Sequence, residues 1–338
     1  MKKRFCRDCL LLLLVSAFLA QPSLAQDPHF SQYFSSPLTF NPAFSGHFDG
    51  QHRLALNYRN QWSGVGDPYI TGTVSFDTKI MQNRIGSNDR WGLGVHALYD
   101  KTAGGIYQSN YLSLSTGFHK GLDAEGDQSI GIGVQATLAR SSIDFSKLYF
   151  NNQFNGDNFD LSIPSGETMN NRSVSYADLT AGILYNYKDE SGNRFTFGAA
   201  MYHVLKPKLT YFSTTTNTLT SRYTVHASVT FPVNDQDQLF FSAHMMQQGG
   251  ASAYTAGTAY GFALDATETE LYLGAWLRAR DALYPYAGLR TPAYQLGLSY
   301  DITSSDIQRQ QKMAGSLELS FQYFFTEGIR RKGIPCFF

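Results

Sequence analysis

Charge is scarce in this chain: Asp, Glu, Lys and Arg make up only 16% of its 338 residues, where an ordinary soluble domain carries about a quarter. Such a chain has little with which to face water on every side. The few charges also cancel, 27 basic against 27 acidic, so the cationic excess that binds a phosphate backbone is missing and no nucleic-acid partner is expected. Cysteine is rarer still. Of the three, Cys6 and Cys9 stand before residue 26 and only Cys336 follows it, which excludes an intramolecular disulfide in an exported chain. No run of about 18 apolar residues exists past residue 25 either, so a helical membrane crossing is excluded. Any membrane protein made from this sequence has to be a barrel.

The start reads as a secretory signal. Lys2, Lys3, Arg4 and Arg7 precede the short apolar stretch from Leu10 to Ala20, and Ser23-Leu24-Ala25 fits a small-x-small cleavage pattern, so the cut is expected between Ala25 and Gln26. Cys6 and Cys9 precede the apolar stretch, which does not suit a lipoprotein cysteine. The expected organisation is a signal peptide over 1–25, an N-terminal extended segment over 26–50, a barrel over 51–326 and a periplasmic tail over 327–338.

What the chain has in abundance is two-residue alternation. In 293–302, Tyr294, Leu296, Leu298, Tyr300 and Ile302 share one face while Gln295, Gly297, Ser299 and Asp301 share the other. Residues 315–325 repeat this, with Leu317, Leu319, Phe321, Tyr323 and Phe325 set against Ser316, Glu318, Ser320 and Gln322. Comparable runs recur near 52–60, 69–79, 91–99, 109–119, 129–140, 174–188, 194–206, 220–232, 238–248, 251–265, 268–280 and 282–291. About fourteen strands of roughly ten residues fit an all-β, transmembrane antiparallel up-and-down β-barrel better than a soluble sandwich. The bulky apolar face is expected to meet lipid, and the Gly, Ser, Thr and Gln face to point inward. An even strand count puts both chain ends on one side. If that side is periplasmic, the long connections near 143–173, 207–219 and 303–313 all face outward, and those near 121–126, 189–193, 233–237 and 266–267 become short inner turns. The stretch 80–90 departs from this pattern.

Ahead of the first strand, Pro37, Pro42 and the serine pairs break any period, yet Phe30, Tyr33, Phe34, Phe40 and Phe44 are too many aromatics for a floppy leader. They are expected to pack against the barrel end or into its mouth. The blocks QDPHFSQYFSSPLTFNPAFSG (26–46), LNYRNQWSGVGDPYITGTVSFD (56–77), YQLGLSYDIT (294–303) and GSLELSFQYFF (315–325) together resemble the PorP/SprF family of type IX secretion outer-membrane proteins. The tail, Ile334 to Phe338, matches that family's Cys-Pro-Arg-Phe-like ending only in part. The resemblance implies a non-enzymatic barrel, with no cofactor, embedded in outer-membrane lipid. Its implied partners are the periplasmic ring proteins of the secretion apparatus and a secreted cargo protein, such as a gliding adhesin. Phe30, Tyr33, Asn41 and Pro42, with Asn57, Tyr58, Arg59, Gln61 and Trp62, are the candidate partner or lumen-packing surface, since Trp, Tyr and Arg are common anchors.

Other chemistry is thinly represented. His96, His119, His203, His226 and His244 lie on separate strands without metal-ligand spacing, so no metal is expected. Asn155, Asp157, Asn158 and Asp160 lack a calcium-loop pattern and read as a solvated loop. His244 and Ser242 stand two apart on one strand with no orienting acid beside them. Arg278, Arg280 and Arg290 with Glu268 and Glu270 suggest a charged ladder in the lumen, of structural pairing or as an ion-selective constriction. A passive porin or hydrophobic-solute transporter is the alternative function.

Overall fold

The structure, a computed structural model, describes residues 27–63, 66–82, 84–166, 172–212, 215–234, 236–264, 269–304 and 315–325. The expected signal peptide, its Ala25–Gln26 cleavage point and the tail over 327–338 lie outside the described residues. The strands in chain order are β1 (His52–Gln61), β2 (Tyr69–Ile80), β3 (Arg90–Thr102), β4 (Tyr107–Gly121), β5 (Gln128–Ile143), β6 (Arg172–Lys188), β7 (Arg194–Tyr202) and β8 (Lys208–Phe212). They continue with β9 (Thr215–Thr218), β10 (Arg222–Pro232), β11 (Gln238–Gln248), β12 (Ala251–Ala263), β13 (Glu270–Arg278), β14 (Ala282–Arg290), β15 (Tyr294–Thr303) and β16 (Gly315–Phe325). All but β8 and β9, which pair antiparallel with each other in a separate hairpin, join one antiparallel sheet, and β1 pairs with β16 to close it as a 14-stranded barrel.

The alternation explains why the sheet closes with polar groups inside. On β16, Ser316, Glu318, Ser320 and Gln322 are buried inward while Leu317 and Leu319 are exposed outward, as the two-residue period requires. On β5 the outward Ile130, Ile132, Val134 and Leu138 are all exposed and Arg140 follows above them. That run of strand, tilted as barrel strands are, covers roughly 20–25 Å of hydrocarbon. Outward aromatics ring both edges of this band. At one end His52 stacks on Phe76, and edge-to-face pairs join Trp91 to Phe118, Phe195 to Phe231, and Phe231 to Phe241. At the other, Tyr58, Tyr99, Tyr223, Tyr254 and Tyr300 stand exposed on the outer wall. Amphipathic rings at two levels are what a lipid boundary selects.

Three features depart from the sequence reading. The connection expected as a plain loop over 207–219 carries the β8–β9 hairpin. The strand expected to reach residue 206 stops at Tyr202, because His203 adopts φ +56, outside the β region. The third concerns the N-terminal segment, which is neither extended nor confined to a mouth. It folds as three short helical turns, Tyr33–Ser35, Pro37–Phe40 and Pro42–Phe44, and nearly all of residues 30–48 are buried. Pro37 and Pro42 each open a turn, where their fixed φ suits a first helical position and no N–H is needed.

Candidate functional site: an occupied lumen

The segment runs lengthwise through the barrel. Asp27 lies beside His203, Arg222 and Gln248, at the end where the connections 144–171, 203–221 and 304–314 emerge. Gly46 lies beside Asp77, and Phe48 beneath the Arg53 guanidinium, at the end of the short turns. Asp27 and Phe325, the two ends of the described chain, therefore sit at opposite ends of the barrel. The even strand count keeps only the start of β1 and the end of β16 together.

Side chains of the wall hold the segment chiefly by its main chain. Glu318 accepts the Ser31 and Gln32 N–H groups at 2.7 and 2.8 Å, and Asp77 accepts that of Gly46 at 2.9 Å. Carbonyls are met in the same way: Arg59 donates to that of His29 at 2.6 Å, Tyr202 to Thr39 at 2.8 Å, His119 to Ala43 at 2.7 Å and Arg53 to Phe44 at 3.2 Å. Every such bond satisfies a backbone group that burial would otherwise leave bare. The aromatics add a core inside the lumen. Phe34 packs on Trp276 and Tyr286 at ring distances of 5.2 and 5.3 Å, and the Tyr33 hydroxyl meets Ser242, which also accepts the Trp276 indole N–H at 2.9 Å.

The Asn41–Gly46 stretch lies in a trough of glycines. A Cβ on Gly133 would strike the Pro42–Ala43 peptide, one on Gly182 the Asn41 side chain, and one on Gly92 the Ser45–Gly46 backbone. At Gly117 it would come within 2.9 Å of the Ser45 carbonyl oxygen. These glycines lie on β3, β4, β5 and β6, so the inward face of four strands is bare where the NPAF turn rests. Asn41 fixes the turn itself, accepting the Ala43 N–H at 2.9 Å and donating to the Ile183 carbonyl at 3.0 Å.

A buried charge cluster surrounds Ser31. Asp301 accepts from Arg59 at 2.9 Å, Arg278 at 3.2 Å and the Ser31 hydroxyl at 2.7 Å. Glu318 lies 4.0 Å from the Arg59 Nε. Replacing Asp301→Asn leaves two guanidiniums short of a counter-charge, and is expected to cost about 3–5 kcal/mol of stability. The exposed Lys188–Asp127 pair, 3.0 Å apart, is the control, since Asp127→Asn should cost about 1 kcal/mol or less. Heat-modified gel mobility of the folded barrel measures both, and equal losses would contradict the cluster's role.

The segment's Asp27 end is pinned by His203, whose ring nitrogens lie 2.6 Å from Asp27 and 2.6 Å from Asp178. Burial opposes the charge on His203, but the two carboxylates prevail and lift it to about 9. Burial likewise opposes the charge on Asp27, but His203 and Arg222 hold it down to about 2. The His203 contribution is thus complete below its ordinary 6.5 and lost as pH rises through about 9, while that of Asp27 is complete above its ordinary 3.8 and lost as pH falls through about 2. A spin label at Pro28→Cys should be immobile at pH 6, mobile above pH 9, and mobile at both in a His203→Gln background. A label indifferent to pH would rule the latch out.

Comparison with known proteins agrees with this architecture. The family model described as type IX secretion system membrane protein PorP/SprF matches residues 23–323. The chain belongs to that family. No curated protein matches it. Among solved structures, the Pseudomonas putida toluene transporter TodX is 10% identical with a TM-score of 0.50, covering 89% of this chain and 95% of its own. The monoaromatic hydrocarbon channel CymD is 11% identical at 0.49, covering 87% and 94%. A Pseudomonas aeruginosa FadL homologue is 11% identical at 0.46, covering 84% and 93%. At these identities the likeness to TodX shows a shared barrel fold alone.

Within this PorP/SprF barrel the sequence-selected residues divide. Phe30, Tyr33, Asn41 and Pro42 of the segment and Asn57 and Arg59 of β1 are buried together in the lumen. Gln61 is half-buried at the end of β1. Tyr58 corrects the lumen-packing half of its reading, since it faces outward in the tyrosine ring, and Trp62 stands beyond β1 edge-on to Tyr69 at 5.2 Å. The charged ladder is also corrected: Arg290 pairs with Glu270 at 3.5 Å near the short turns, whereas Arg278 joins Asp301 and Asp281 at the other end. Arg280 is exposed in the intervening turn, and Glu268 lies outside the described residues. Among the described residues no group of three or more His, Cys, Asp or Glu could hold a metal. Asn155, Asp157 and Asn158 are tied into a turn, with the Asn155 side chain accepting the Asp157 and Asn158 N–H groups. The sequence reading missed Glu318, Asp77, Tyr202 and the glycine trough as parts of the site. Their inward position was signalled by alternation, but nothing in the period says which inward residue meets the segment.

Proposed function

We propose that this PorP/SprF protein works as a non-enzymatic anchor in the outer membrane, assisting export or surface attachment of a cargo protein and contacting the periplasmic ring of the secretion machinery. Family membership across the whole barrel carries the reading. The filled lumen supports it, because a barrel occupied along its length by its own chain offers surfaces, not a wide conduit. The long-connection end is assigned to the cell exterior and the short-turn end to the periplasm. At the long-connection end Tyr149, Phe154 and Phe159 cluster in the open, 59%, 49% and 48% exposed, with ring centroids 5.5 and 5.2 Å apart. Exposed rings held by an ordered loop are a usual mark of a protein contact. The test is a deletion strain: cargo should be lost from the cell surface and restored by the wild-type gene. Cargo still attached in its absence would sink the reading and leave a passive transporter as the better account.

A further inference from the structure

The way the lumen grips residues 27–36 differs from the way it grips residues 41–46. The inner stretch is wedged backbone-to-backbone in the glycine trough and joined to β1. The outer stretch is held chiefly by side chains: Glu318 on two N–H groups, Arg59 and Gln322 on carbonyls, and the His203–Arg222 pair on the Asp27 carboxylate, with Gln32 also donating to the Glu318 main-chain carbonyl at 2.9 Å. Contacts to main-chain groups recognise a polypeptide with little regard to its sequence, while the Ser31 hydroxyl on Asp301 and the Gln32 amide on Ser299 and Ser320 read side chains at those two positions. Two features add selectivity. The pocket formed by Trp276, Tyr286 and Phe240 takes aromatic rings, and His203 with Arg222 takes a carboxylate. Moreover, the acceptors Asn57 Oδ1, Asp178 Oδ1 and Asp301 Oδ1 and the donors Arg59 Nε and Arg222 Nε are buried without a hydrogen-bond partner, so the wall around this stretch offers more polar groups than the resident chain satisfies.

We propose that the outer third of the lumen is a binding channel for a partner polypeptide: a segment bearing a carboxylate, with aromatic side chains three or more residues behind it and one helical turn at its inner end, takes the track that residues 27–36 hold. The resident arm is then a built-in competitor, tethered at residue 37 and exchangeable ahead of it. Occupancy by a partner swaps one carboxylate for another at His203 and leaves the charge of the channel unchanged. This inference rests on the secretion reading for the identity of the partner as cargo, but the channel itself is testable without it.

Ser36 and Thr73 place their hydroxyl oxygens 3.3 Å apart, so Ser36→Cys with Thr73→Cys in a Cys336→Ser background gives an arm that oxidation locks and reduction frees. The probe is a labelled synthetic peptide of residues 27–36, DPHFSQYFSS, added to the purified full-length protein. Saturable binding to the reduced form and none to the oxidised form is the expected result, with Asp27→Asn in the peptide weakening it about tenfold. Equal binding to both forms, no binding to either, or indifference to Asp27→Asn overturns the channel. In cells, the locked form should lose surface cargo that reductant restores, and cargo unaffected by the lock overturns exchange even where the deletion strain upholds the secretion reading.

Discussion

Removing residues 27–48 should turn a barrel that conducts little into one that conducts steadily in planar bilayers. The segment now fills a lumen whose inward wall is rich in Ser, Thr, Gln and His, with Arg53, Arg59, Asp77, Asp301 and Glu318 among them. With the segment gone, water would enter to satisfy those groups, and a water-filled lumen passes ions. The wall should survive, because its strand ladders run unbroken around the ring from β1 through β16. It should also be less stable: Tyr33, Phe34, Phe40 and Phe44, each at most 5% exposed, forfeit about 1.5–3 kcal/mol apiece when their burial is lost. Single-channel recording against the full-length protein is the measurement. A deleted form that is folded and still silent would mean that some other element seals the barrel.

A single methyl group at the trough should nearly reproduce that deletion. Gly133→Ala places its Cβ on the Pro42–Ala43 peptide, and Gly182→Ala on the Asn41 side chain that organises the turn. The first neighbour is backbone, and the second is a side-chain end held by its hydrogen bonds to Ala43 and Ile183. The turn must lift off, and a cost of about 3 kcal/mol or more is expected. Gly72→Ala is the matched comparison: it sits on β2 facing outward, where the nearest atom to an added Cβ is 3.9 Å away. Thermal unfolding and steady conductance should change together in the first two variants and in neither respect in the third. Wild-type behaviour of Gly133→Ala would show that the NPAF turn is not seated where the glycines are.

Much of the wall was legible because strand faces are fixed by a period of two. Glu318 had to point inward once Leu317 and Leu319 pointed outward, and the β1–β16 closure follows from an even series of antiparallel neighbours. The lumen's contents were not legible in that way. The FSQYFSSPLTFNPAF stretch has no period, and its partners, such as His119, Gly182 and Glu318, lie far along the chain and meet it only after closure. Trp276 and Tyr272 fell on the inward face by alternation, but a bulky aromatic there makes sense only once Phe34 and Tyr33 are present to cover it. Tyr58 misled for a related reason: an amphipathic ring serves equally as a protein anchor or as a marker of the lipid boundary, and residue type alone does not separate the two.

Asp27 sits at the far opening while β1 begins at the near one, and the last strand supplies the carboxylate that clasps residues 31 and 32. A finished cylinder would have to be threaded from beneath by a chain carrying several aromatic rings past a row of ionic groups. Wrapping the sheet around a leading arm already in place avoids that passage, and the β1–β16 zippering would then seat the arm in the same step.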